Sequence, residues 1–245
     1  MELLIFSKNR PFQLRWCILS AIKFIKEFNS ITVIWSSNEL YDNLYLELIE
    51  VLKFECQKIK FVKQRNFKLD VSLYVFSKLS KKIMFLTDDS IFIDYPILHD
   101  CKFTLGTREV CEKKIQNSKV LSDEDYLFSV DGRVYSSLLV KLLICTVPYR
   151  SPSSLESRIN WLLRRLEIVG FRSTIIGQKN RCLVNLELNR VSEEATDNTS
   201  LGLDLMDIGV RLNTDIELLG IPTKFHQRPK FNFDIHSNIF FVSLN

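Results

Sequence analysis

Glycine is scarce in this chain, at 7 of 245 residues, and none of it forms GxGxxG, GKS or GKT. That excludes the dinucleotide fingerprint and the P-loop, which need glycine where backbone meets phosphate. The six cysteines are widely spaced, with no CxxC and no Cys/His cluster. A zinc site and a disulfide framework are thereby excluded, and buried free thiols in a reducing compartment are expected. No run approaches the roughly 18 apolar residues of a membrane span. The opening MELLIFSKNRPF has neither a basic lead nor a long apolar stretch, so it reads as a first strand rather than a signal peptide, and a cytoplasmic location is expected. Charge of one sign is also in short supply. Lys+Arg of 33 against Asp+Glu of 29 leaves +4, which suits a small polyanionic ligand or contact with an acidic surface. The basic residues are dispersed and carry no RNA-binding signature, so nucleic acid is not an expected partner.

What is present is a core's worth of apolar residues, 46% of the chain, arranged in alternating short runs and amphipathic segments. Leu3 to Ser7, Ile31 to Ser37, Ile59 to Val62 and Ile83 to Leu86 read as strands. A helix starting at Pro11 buries Leu14, Cys17, Ile18, Ala21, Ile22, Ile25 and Phe28 at three-to-four spacing. Further helices are expected over Leu40 to Glu55 and Leu69 to Leu79. The order β-α-β-α-β-α-β predicts an α/β fold, a mostly parallel sheet flanked by helices in a single domain. Beyond Asp100 the pattern weakens. CKFTLGTREV and CLVNLEL read as strands, and SSLLVKLLICTV as a helix or a strand. Ser153 to Phe171 reads as a helix whose Ser153 and Glu156 have capping-box spacing. SEEATDNTS is a polar loop, Leu201 to Leu219 a helix, and Lys224 to Asn245 a tail.

In such sheets ligands sit at the carboxyl ends of the strands. Three polar clusters fall there: Ser7, Lys8, Asn9 and Arg10 after the first strand, Ser36, Ser37 and Asn38 after the second, and Asp88 and Asp89 after the fourth. Two adjacent carboxylates at a strand end form either a solvated turn or a site for Mg²⁺ or Mn²⁺, whose charge would cancel their repulsion. Arg10 and Lys8 can meet a diphosphate with a planar fork and a point charge, or Arg10 can simply cradle the following helix. Asn66 and Lys68 are further candidates for the same pocket.

The succession FSKNRPFQL, VIWSSN, RNF and FLTDDSIFI resembles the nucleotide-sugar-binding half of GT-A glycosyltransferases, with TDDS in place of their DxD motif. FSVDGRVY, SPSSLE and VNLELNRV are similar to segments of uncharacterised GT-A-like proteins that open with FSKxRPxQL. The resemblance spans Leu3 to about Val191. It implies a GT-A (Rossmann-like) fold, with residues 1–100 forming the donor half and 101–245 the acceptor half and tail. It also implies transfer of a sugar from a UDP- or GDP-sugar to a glycan, lipid-linked or protein acceptor, with peripheral membrane association compatible with such acceptors. Ser7, Lys8, Arg10, Asn66, Lys68 and Asp88 would bind the donor, while Asp89 and His226 would hold Mn²⁺ or Mg²⁺, with His236 a second choice and His99 incidental. Ser90 stands where the motif usually ends in aspartate, which removes one carboxylate from the expected ion. Asp131, beside Gly132, and Glu156 are the candidates for the acceptor-side base. Two other readings stay open: a GT-A-like module without catalysis that binds a glycan or protein, and a nucleotidyltransferase, against which the glycine-free first loop counts.

Overall fold

The apolar runs form a sheet at the centre of the computed structural model, which describes residues 1–92, 94–96, 106–109, 127–168, 175–178, 182–185, 207, 229–234 and 239–244. The strands β1 (Glu2–Lys8), β2 (Ser30–Ser36), β3 (Ile59–Lys63) and β4 (Lys82–Thr87) are separated by α1 (Pro11–Phe24), α2 (Glu39–Glu55) and α3 (Phe67–Ser77). Pro11 opens α1, where its missing N–H costs nothing and its fixed φ suits a helix. All four strands are parallel, in the order β3-β2-β1-β4. The chain therefore reverses its direction of travel across the sheet at β1, and α3 carries it back to β4.

Alternation along the strands sends side chains to two cores. Leu3, Ile5, Met84 and Leu86 pack under α1 and α2. Leu4, Phe6, Ile83 and Phe85 face the opposite layer, made by α3, α4 (Ser137–Thr146) and α5 (Pro152–Ile168). SSLLVKLLICTV is thus settled as helix. Its Val140, Leu143 and Ile144 are buried at helical spacing.

The remaining strands are β5 (Ser90–Phe92), β6 (Gly106–Glu109), β7 (Val134–Ser136), β8 (Ile175–Gln178), β9 (Leu183–Asn185), β10 (Pro229–Asp234) and β11 (Ile239–Leu244). The main sheet reads β3-β2-β1-β4-β7-β6-β8. Within it β7 is antiparallel to both β4 and β6, while β8 is parallel to β6. The expected α/β class, a mostly parallel sheet flanked by helices, is what forms. β7 itself was not expected, because three residues beginning at the end of FSVDGRVY are too few to show a period.

Three further expectations change. The segment read as a plain tail contains an antiparallel pair, β10 with β11. The cap of α5 is made by Ser151 and Ser154 rather than by Ser153 and Glu156. Ser154 N donates to Ser151 Oγ (3.2 Å), and Ser151 N donates back to Ser154 Oγ (2.9 Å), so Pro152 opens the helix one residue earlier than expected and Glu156 is released from the cap. The described cysteines are free but not uniformly buried: Cys17 and Cys182 are, whereas Cys145 is exposed. The predicted loop SEEATDNTS, most of the helix over Leu201 to Leu219, and His99, His226 and His236 lie outside the described residues.

Gly132 closes the turn into β7 with φ +74, and a Cβ added there would fall 2.2 Å from Leu183 Cδ2. Its N–H donates to Phe85 O (2.9 Å), so the turn is pinned to the central strand. Gly132→Ala is expected to destabilise the protein by about 1–2 kcal/mol, the cost of a left-handed residue with a side chain. Urea unfolding measures this, and unchanged stability would contradict the assigned turn.

Candidate functional site

The loops after β1, β2 and β4 open beside one another at the point where strand order reverses, the crevice where open α/β sheets bind ligands. The β1 loop is shaped by Asn9, which adopts φ +53, a region that asparagine tolerates better than most residues. Its N–H donates to Ser36 O (3.1 Å), and its Oδ1 accepts from Asn38 N (2.9 Å). The ends of β1 and β2 are thereby tied together, and Arg10 is turned toward β4.

Arg10 Nη1 lies 2.8 Å from Asp88 Oδ1 and 3.3 Å from Asp89 Oδ2. One buried guanidinium thus offsets the repulsion between the two carboxylates. Asp88 Oδ2 accepts from Ser7 Oγ (2.9 Å) and from Lys8 N (3.1 Å). Tyr45, which stacks on Trp35 at 4.6 Å, places its hydroxyl 2.6 Å from Ser7 Oγ and accepts from Arg10 N (3.1 Å). Sequence reasoning missed Tyr45, because it falls on the apolar face of α2 and reads as core. Burial raises its phenol pKa, so it serves as a neutral strut.

Burial also pushes the Asp88 carboxyl up to about 6. Arg10 pulls the other way and Asp89 adds to the rise. Burial works against the charge of Arg10 too, but the two carboxylates more than offset it and raise its pKa. Both partners are therefore charged at neutral pH. The folded protein takes up the Asp88 proton near pH 6 and the unfolded chain near 3.9. This titration therefore favours the folded state below the unfolded value, a contribution lost as pH rises through about 6. Holding a buried carboxylate ionised at neutral pH sacrifices stability, a feature that clusters at functional sites.

The loop before β7 reaches the same rim. Thr87, next to Asp88, donates through Oγ1 to Asp131 Oδ1 (2.7 Å). Glu156, on the first turns of α5, accepts through Oε1 from Ser129 Oγ (2.9 Å) and Val130 N (2.6 Å), and Ser129 Oγ accepts from Asp131 N (3.1 Å). Glu156 thus fastens the loop that presents Asp131. Asn160 braces it from the same helix, its Oδ1 accepting from Phe128 N and its Nδ2 donating to Phe128 O.

Ser7, Arg10, Asp88 and Asp89 are brought together, with Lys8 exposed at the edge, and Asp131 is tied to the neighbouring Thr87. Asn66 and Lys68 are engaged elsewhere. Asn66 caps α3, its Oδ1 accepting from Leu69 N (3.0 Å), and Lys68 Nζ donates to Val147 O (3.1 Å). Ser90 is fully buried, and its Oγ lies 3.1 Å from Thr87 Oγ1. The last position of TDDS is therefore buried as β5 begins, packed against Thr87.

The fit to a hard cation rests on Asp89. Its Oδ1 is buried without a hydrogen-bond partner, whereas three donors already occupy Asp88. Among the described residues no group of three His, Cys, Asp or Glu side chains converges. One carboxylate suits an ion that completes its shell with a diphosphate and water, as Mg²⁺ commonly does, rather than an all-protein cage. His226 lies outside the described residues.

No protein-family description matches the chain, and no curated protein matches it. Solved structures similar to it include an active-site mutant of LgtC (10% identity, 58% of this chain and 59% of that one, TM-score 0.40). Two others are S. aureus TarS 1–349 in complex with UDP (12%, 73% and 59%, 0.45) and a cytidylyltransferase from Leptospira borgpetersenii (12%, 74% and 76%, 0.44). The chain spans 59% of the LgtC and TarS chains.

Arg10→Ala leaves two buried carboxylates without their cation and is expected to cost about 3–5 kcal/mol. Adding Asp88→Asn should recover part of that loss, because it removes one of the stranded charges. Denaturant melts of the two variants check this, and a double variant less stable than Arg10→Ala would contradict the hub.

Proposed function

We propose that the protein is a glycosyltransferase using a UDP- or GDP-sugar and a glycan, lipid-linked or protein acceptor. The observation that carries this reading is the buried Arg10–Asp88–Asp89 cluster at the strand-order reversal, with Asp131 bonded to Thr87, the residue before Asp88. Residues 1–100 form the donor half and 101–245 the acceptor half. Ser7 and Asp88 set the rim's shape, and Arg10 and Lys8 face the diphosphate. Asn66 and Lys68 belong at the outer edge of the same half.

In the reaction the bond from the anomeric carbon to the diphosphate oxygen breaks and the acceptor oxygen bonds to that carbon. Asp131 accepts the acceptor's proton. Glu156 is a positioning residue, holding the Asp131 loop through Ser129 and Val130. Asp89 would hold Mn²⁺ or Mg²⁺, with His226 the second ligand that the sequence resemblance implies, and the ion would neutralise charge growing on the departing diphosphate.

A second reading, a nucleotide- or glycan-binding module without turnover, is favoured by one feature: both Asp88 oxygens are taken by protein donors and Ser90 is buried.

Thermal shift with UDP- and GDP-sugars, with and without Mn²⁺, is expected to raise the midpoint. Mn²⁺ alone should do little, and Asp89→Asn should remove the Mn²⁺-dependent part. Asp131→Asn should lower kcat by about 100-fold or more while leaving the donor shift intact. No shift with any sugar nucleotide sinks the transferase reading, and binding without nucleotide release supports the module.

A further inference from the structure

The helix layer formed by α3 and α4 departs from ordinary patterning on its outer side. A helix covering a sheet buries one stripe and shows polar residues to water. Here the outward positions of α3 are Leu69, Leu73 and Phe76, exposed by 56%, 62% and 50%, and Leu79, just beyond its end, is 99% exposed. The neighbouring α4 turns out Leu138 and Leu142, 68% and 59% exposed. The two helices pack side by side, and Lys141 Nζ on α4 donates to Lys78 O (3.0 Å) while lying 6.0 Å from the Phe76 ring. Their apolar stripes therefore lie on adjoining helices of one layer. These six residues are the majority of the eleven large hydrophobics exposed among the described residues, so this is a patch and not scatter.

Charge around the patch is mainly positive, although Lys78 Nζ is paired with Glu2 Oε2 (3.3 Å) and Lys68 Nζ donates to Val147 O (3.1 Å). From Phe67 to Lys82 and from Ser137 to Thr146 there are five lysines, Lys68, Lys78, Lys81, Lys82 and Lys141, against one acid, Asp70. The Asp70 carboxylate is held by Arg65 N (2.9 Å) and Asn66 N (3.0 Å) at the start of α3. Leucine and phenylalanine bordered by lysine describe a lipid-facing surface. Protein interfaces instead favour tyrosine, tryptophan and arginine and are depleted of lysine. No helix among the described residues is long and apolar enough to cross a membrane, so contact would be shallow.

We propose that the outer face of α3 and α4 docks on an anionic phospholipid surface, its leucines and Phe76 entering the headgroup boundary and its lysines pairing with lipid charge. The face is separate from the Arg10–Asp88–Asp89 cluster and does not depend on the chemistry performed there.

Vesicle flotation of the full chain tests this with phosphatidylcholine alone and with phosphatidylcholine containing phosphatidylserine. Binding to the anionic vesicles is expected, weakening as salt screens the lysines. Leu73→Glu/Leu142→Glu should lower the partition about tenfold or more. Exposed Lys81→Glu, which leaves the apolar surface intact, should also lower it, by about tenfold. Leu46→Glu/Phe54→Glu, which alters exposed residues of α2 on the other side of the sheet, should bind as the parent does. Absence of binding to the anionic vesicles overturns the proposal, as does equal binding by Leu73→Glu/Leu142→Glu. So does a dimer in solution that this double variant converts to monomer, which would assign the face to a second copy.

Discussion

The ion triplet of Arg10, Asp88 and Asp89 is the constraint around which the rest of the rim is arranged. Two adjacent carboxylates at a buried strand end are tolerable only with a cation between them, and Arg10 can supply it only from the end of β1, the strand paired with β4. That fixes the left-handed turn at Asn9, which swings the chain so that Arg10 enters α1 facing β4. It also gives Tyr45 its task, since a neutral hydroxyl linking Ser7 Oγ and Arg10 N holds both donors in place. The triplet still carries one surplus negative charge and one buried Asp89 oxygen with no hydrogen-bond partner. A diphosphate alone would be repelled by that surplus. A diphosphate arriving with a divalent ion, and meeting exposed Lys8, would not.

The β7 loop is subordinate to the same arrangement. Asp131 is aimed by Thr87, the residue before Asp88, and its loop is clamped from behind by Glu156 and Asn160 on α5. The capping of α5 by Ser151 and Ser154 is what frees Glu156 for this work. Asp131 and Glu156 therefore have unequal placements, one bonded to Thr87 at the end of β4 and one behind the loop.

Much of this was legible in the sequence because burial in a parallel sheet leaves a strong signal. The β1, β2 and β4 runs, the helix after Pro11 and the carboxylates at a strand end all follow from apolar runs broken by polar ends. The strand-order reversal makes those ends converge, and three polar clusters predicted at three strand ends were enough to anticipate it. What stayed hidden depends on contacts between distant residues. Tyr45 looks like core from its helical spacing, and β7 is too short to show alternation. Asn66 and Lys68 sit in a suitable stretch, but one is needed to cap α3 and the other reaches Val147. Ser90 could be recognised as a missing carboxylate, yet its burial follows only from the pairing of β5 with β9.

The exposed leucines of α3 and α4 show the same division of information. Apolar spacing predicts that these helices are buried, and their inner stripes are. That their outer stripes are apolar as well is visible only once the sheet has fixed which side faces inward.

The most direct measurement is a crystal structure determined with UDP and Mn²⁺. Nucleotide lying across the carboxyl ends of β1, β2 and β4, with its diphosphate near Arg10 and Lys8 and the ion on Asp89, is the predicted result. Nucleotide bound elsewhere, or an ion held by Asp88 with Arg10 displaced, would contradict the role assigned to the triplet.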